Sequence, residues 1–107
     1  MAVATQTTER PDIRITPDDF RATPRIRFGR ASAVVAKPTT EADVAIWCMS
    51  RYGRHMATLL IEGTDVWVRT VGVIHKDEIA DIAGLADLIE GRAGEILEAK
   101  RESIHAN

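Results

Sequence analysis

Residues 76–102 read KDEIADIAGLADLIEGRAGEILEAKRE, and the spacing within them decides much of the fold. Ile79, Ile82, Ala86, Ile89, Ala93 and Ile96 recur at alternating steps of three and four, which puts all six on one side of a helix. Leu85 and Leu88 widen the apolar face in the first half. An unbroken helix here would be about 40 Å long, against about 30 Å for a folded body of some 80 residues. Gly84, Gly91 and Gly94 each cost about 1 kcal/mol relative to Ala inside a helix, and two of them fall together at Gly91-Arg92-Ala93-Gly94. The expectation is therefore a C-terminal helical block over 76–103, jointed into a helix near 76–90 and a second segment near 94–103.

Upstream, residues 57–61 and 66–74 are rich in strand formers and flank Glu62-Gly63-Thr64-Asp65, a polar loop with one glycine, which reads as a β-hairpin. In its second strand Val66, Val68 and Thr70 share one face, and Trp67, Arg69 and Val71 the other. Arg25-Ile26-Arg27-Phe28 alternates, Gly29-Arg30 offers a turn, and Ser32 to Ala36 is a second extended run ended by Lys37-Pro38. After Pro38, Thr39 or Thr40 can cap a helix with Glu41 and Asp43 in its first turn. Gly53 stands where its C-terminal cap belongs, giving a predicted helix over 40–52 that buries Val44, Trp47 and Cys48. The whole reads as an α+β fold in the order ββαββα, a three- or four-stranded antiparallel sheet covered by helix 40–52 and the block 76–103.

The 107 residues, 45% hydrophobic, suffice for one core without staples. Pro11, Pro17 and Pro24 among charges make residues 1–24 an expected flexible arm, with a single domain over 25–107. The one cysteine, Cys48, precludes an internal disulfide and points to a reducing cytoplasm. No apolar run is long enough to span a bilayer, and the N-terminus lacks the marks of a signal peptide. Eleven Arg against three Lys suggests a bacterial or phage origin.

Charge is polarised along the chain. Residues 1–54 carry nine basic and six acidic side chains and residues 55–107 five and ten, so +3 and −5 give the net −2. Arg21, Arg25, Arg27, Arg30 and Lys37 form a stretch without an acid, suited to nucleic acid, an acidic protein, or the chain's own acidic C-terminal helix.

Catalytic chemistry is not legible. His75, Asp77, Glu78 and Asp81 cluster at a helix start, where the acids are accounted for by the helix dipole rather than by a metal. Cys48 reads as a core thiol, and no glycine-rich phosphate loop follows a strand. The expectation is no enzyme, no cofactor and no metal.

Two local resemblances complete the reading. Ala33-Val34-Val35-Ala36-Lys37-Pro38-Thr39-Thr40-Glu41-Ala42-Asp43-Val44 resembles the strand, proline and capped-helix start of the flavin-binding domain in vanillyl-alcohol-oxidase-type enzymes. That family's glycine-rich, His-bearing segment is replaced here by Ile61-Glu62-Gly63-Thr64-Asp65, so the resemblance implies only strand-helix-strand geometry. Glu78-Ile79-Ala80-Asp81-Ile82-Ala83-Gly84-Leu85 is similar to the first helix and turn of a helix-turn-helix, but Asp87, Glu90 and Glu95 stand where a recognition helix needs cations. The functional expectation is a small non-enzymatic protein-interaction module that contacts a partner through Trp67 and Arg69, or pairs as a homodimer through Ile89 and Ile96 of the C-terminal helices. The alternative is nucleic-acid binding through Arg21, Arg25, Arg27, Arg30 and Lys37.

Overall fold

A computed structural model describes residues 13–21, 26–35 and 39–105. Its elements, in chain order, are α1 (Pro17–Arg21), β1 (Arg27–Phe28), β2 (Ala31–Val35), β3 (Val44–Met49), β4 (His55–Glu62), β5 (Asp65–Thr70) and α2 (Lys76–His105). The strands form one antiparallel sheet in sequential order, β1-β2-β3-β4-β5. The fold is α+β, as expected, but among the described residues it has five strands and no helix between them.

The largest difference from expectation lies at residues 40–52, which hold strand β3 instead of a helix. Thr39 and Asp43 supply capping groups, but to turns. Thr39 Oγ1 accepts from the Glu41 amide at 3.0 Å, and Asp43 Oδ2 accepts from the Gly63 amide at 3.1 Å across the β4–β5 turn. From Val44 onward the β-branched and aromatic residues alternate with period two. Val44, Ile46 and Cys48 are buried on one face while Trp47 stands out on the other. Strand–helix–strand geometry of the flavin-domain kind is therefore absent here.

Both hairpins form. Gly29-Arg30 closes the pair Phe28 and Ala31, and Gly63-Thr64 closes the pair Glu62 and Asp65, a tighter loop than the four residues expected. Gly63 has φ +61°, a left-handed conformation that favours glycine at the first position of a two-residue turn.

Helix α2 runs unbroken through Gly91 and Gly94. The expected joint is absent because the apolar stripe continues on both sides of it: Leu85, Ile89, Ala93 and Leu97 are all buried. The second half of α2 also finds a surface that the sequence reading assigned to the N-terminal arm. Ile15 and Phe20 join the core, and Lys100 Nζ donates to the Arg14 carbonyl at 2.6 Å and to Asp19 Oδ2 at 2.7 Å. Burial of Leu85, Ile89 and Leu97, each worth about 1.5–3 kcal/mol, outweighs glycine penalties of about 1 kcal/mol apiece. The molecule is elongated accordingly, 52 × 28 × 21 Å. Because residues 78–85 lie inside this single helix, they do not form the helix-turn of a helix-turn-helix.

Candidate interaction surfaces

The sheet has two unlike faces. Toward the core point Ala31, Ala33 and Val35 of β2, Val44, Ile46 and Cys48 of β3, and Ala57, Leu59 and Ile61 of β4, joined by Ile82, Leu85, Ile89 and Ala93 of α2. The opposite face carries a cross-strand row, Val34, Trp47, Thr58 and Arg69, and beside it Ala45, Leu60 and Trp67. Among the described residues no helix covers this second face. Trp67 is 60% exposed and Trp47 39%.

Polar contacts hold the outer face in shape. The Trp47 and His55 rings stack with centroids 4.4 Å apart. Arg69 grips Glu41 with two parallel hydrogen bonds, Nη1 to Oε1 at 3.2 Å and Nη2 to Oε2 at 2.9 Å. The guanidinium holds the Glu41 carboxyl below its ordinary value, and the pair fixes Arg69 beside the tryptophans. Trp67 and Arg69 thus stand where the sequence placed them, on one face. Trp47 was missed because the helical reading buried it; the period-two alternation of residues 44–49 is the signal that finds it.

The helix residues expected to meet a partner are engaged at home. Ile89 is fully buried and Ile96 packs against the core, so Ile89 has no surface to offer. The large exposed apolar side chains of α2 are Ile79, Leu88 and Ile104.

The basic stretch is dispersed. Arg21 pairs with Asp18 at 2.6 Å, Arg27 and Arg30 are exposed on the first hairpin, and Arg25 and Lys37 lie outside the described residues. Two further arginines of the β3–β4 turn reach the acidic helix. Arg51 binds Asp81 and Arg54 binds Glu78.

At the start of α2, His75 takes the place usually held by Ser or Asp at a helix N-cap. Its Nδ1 accepts from the Asp77 amide at 3.0 Å, and Glu78 Oε1 accepts in return from the His75 amide at 2.8 Å, a capping box with histidine as the cap. Glu78 is buried and also accepts from Arg54 Nη2 at 2.7 Å. The His75 amide, against the effect of burial, and then Arg54 hold its carboxyl below the ordinary value; the Ser50 hydroxyl adds to this, though its geometry falls short of a hydrogen bond to Oε2. Among the described residues no three His, Cys, Asp or Glu side chains converge as metal ligands would. Cys48 is buried in the sheet, and burial pushes its thiol up to about 12. Among the described residues no helix is long and apolar enough to cross a membrane.

Comparison with known proteins yields no matching family, no similar curated protein and no similar solved structure.

Proposed function

We propose that this chain is a small non-enzymatic protein-interaction module, an adaptor, inhibitor or assembly component, whose working surface is the outer face of the sheet. The observation that carries the reading is the exposure of Trp47 and Trp67 together on that uncovered face. Tryptophan and arginine are the residues that dominate binding energy at protein interfaces, and Arg69 is already fixed beside Trp67 by Glu41. The single buried cysteine suits a reducing cytoplasm as the place of action.

The test is selection of a displayed peptide library against the purified protein. Binders are expected to lose about tenfold or more in affinity, equivalent to about 1.4 kcal/mol, with Trp67→Ala or Arg69→Ala, while the far-ultraviolet circular dichroism stays unchanged. Binders indifferent to both variants, or turnover of a small metabolite, would overturn the reading.

Nucleic-acid binding through Arg21, Arg25, Arg27, Arg30 and Lys37 draws less support. Arg21 is paired with Asp18, and Arg51 and Arg54, which would have extended the basic surface, are held by Asp81 and Glu78. A salt-sensitive shift of labelled DNA or RNA would favour it.

A further inference from the structure

Strand β5 is an open edge. It ends the strand order, and no described element pairs with its far side. At the other edge β1 has only two residues, whereas β5 has six, of which five are exposed and Val66 partly so. Natural edge strands of this length are protected by Pro, by charged side chains and Lys above all, by a bulge or by a cover; the charges of β5 are one acid and one base, Asp65 and Arg69. The span 65–70 has neither Pro nor Lys, and its register with β4 is unbroken.

The hydrogen bonds of the neighbouring strands show which backbone groups β5 leaves unpaired. The Ile61 carbonyl accepts from the Asp43 amide at 2.9 Å, so Ile61 turns its polar groups away from β5, and its partner Val66 must turn its own outward. By alternation Val68 and Thr70 do the same. The Val71 amide, an odd position, donates inward to the Met56 carbonyl at 3.0 Å, which agrees.

The sequence over this edge is symmetric in chemistry about Trp67: Thr64-Asp65-Val66-Trp67-Val68-Arg69-Thr70. When such a strand pairs antiparallel with its own copy and Trp67 lies on the two-fold axis, Val66 meets the partner's Val68 and Thr64 the partner's Thr70. Asp65 comes opposite the partner's Arg69, twice, an arginine whose Nη1 and Nη2 also hold Glu41 of its own chain, and the two Trp67 side chains stand side by side. This register places the outward-facing Val66 and Val68 opposite one another, as hydrogen bonding requires; a one-residue slip would set outward groups against inward ones. Asp65, Trp67 and Arg69 share the outer face, so the opposite charges and the indoles meet on one side of the sheet. A second copy is therefore the occupant that the edge fits in backbone, apolar pairing and charge.

We propose that the protein forms a two-fold dimer by antiparallel pairing of β5 with β5, making one continuous ten-stranded sheet with Trp67 at its centre. This rests on the interaction-module reading and names one partner as the chain itself, through the sheet edge rather than through α2. The two outer faces then join into one surface carrying four tryptophans.

Light scattering after size exclusion on the full chain is expected to give twice 11.8 kDa. Asp65→Arg and Arg69→Asp, each alone, set like charges opposite one another and are expected to abolish the dimer. An equimolar mixture of the two variants restores both opposite pairs and is expected to restore the dimer mass. Val68→Pro removes an outward amide without touching the β4–β5 ladder and is expected to give a folded monomer. Monomer mass for the unmodified chain at all concentrations would overturn the proposal, as would dimers unaffected by either charge variant, or a mixture that stays monomeric. Val68→Pro leaves Trp67 and Arg69 in place, so peptide binding by that monomer, lost or kept, judges the interaction-module reading separately.

Discussion

Arg51 and Asp81, thirty residues apart in sequence, meet in a two-pronged ion pair: Nε donates to Oδ2 at 3.1 Å and Nη2 to Oδ1 and Oδ2 at 3.0 and 2.9 Å. With Arg54 and Glu78 beside it, this contact ties the turn after β3 to the first two turns of α2. In both pairs the acid is buried and the arginine half-exposed, the Asp81 side chain being 4% accessible against 31% for Arg51. The Asp81 contact holds the Arg51 guanidinium above its ordinary pKa.

That asymmetry predicts unequal mutational costs. Arg51→Ala strands a buried carboxylate, whereas Asp81→Ala leaves an arginine able to turn to water. Arg51→Ala is expected to lower Tm more than Asp81→Ala, and the double variant to lose less than the sum of the two. Thermal melts of the three variants check it, and equal single losses would contradict it.

Acid should loosen the molecule. Glu78, Asp19 and Glu41 all have carboxyl groups held below their ordinary values. For Asp19, burial acts upward but is outweighed by Lys100 and the Thr16 amide. Below the ordinary carboxylate value of 4.5 for Glu78, the unfolded chain binds protons that the native state resists. The stabilisation is therefore complete above that pH and is lost as pH falls through the lower native values. Urea midpoints measured from pH 7 to 3 should fall along this limb. Glu78→Gln should flatten it more than Glu41→Gln, whose exposed pair with Arg69 contributes little.

The helical glycines separate by surroundings. A Cβ at Gly91 or Gly94 meets nothing within 4 Å, while one at Gly84 overlaps the ring of Phe28. Gly91→Ala and Gly94→Ala are each expected to stabilise by about 1 kcal/mol, read from urea unfolding. Gly84→Ala should gain less or destabilise, because Phe28 must leave its seat on the helix.

Cys48 should be silent until the protein unfolds. Its thiol is buried and raised to about 12, so little nucleophilic thiolate exists at neutral pH. An aromatic disulfide reagent is expected to react fully in strong urea and only slowly without it. Rapid native labelling would show that β3 opens.

Much of the fold is legible in short-range chemistry, and each failure has a cause. The two hairpins follow from Gly29-Arg30 and Gly63-Thr64 between alternating runs. The helical stripe of α2 follows from its spacing. Residues 40–52 misled because Thr39, Asp43 and Gly53 are turn residues with equal use at helix ends. The joint expected at Gly91 failed because the apolar stripe stays buried through Ala93 and Leu97 and, beyond it, Lys100 is held by the Arg14 carbonyl and Asp19. At the candidate surface, Trp67 and Arg69 were legible from alternation within one strand, whereas the company of Trp47 and Glu41 depends on strands that are distant in sequence.

By itself the sequence determined the α+β class, the positions of the turns at Gly29-Arg30 and Gly63-Thr64, the face of each residue in β5 and the self-complementary order around Trp67. Those depend on the period of a strand or helix and on glycine's access to positive φ, which are local properties. Only the tertiary structure decided that residues 44–49 are a central strand, that α2 is one piece, that Ile89 is core, and that β5 is an unpaired edge. Each of these turns on which surfaces meet, and burial against a distant segment outweighs propensities worth about 1 kcal/mol or less per residue.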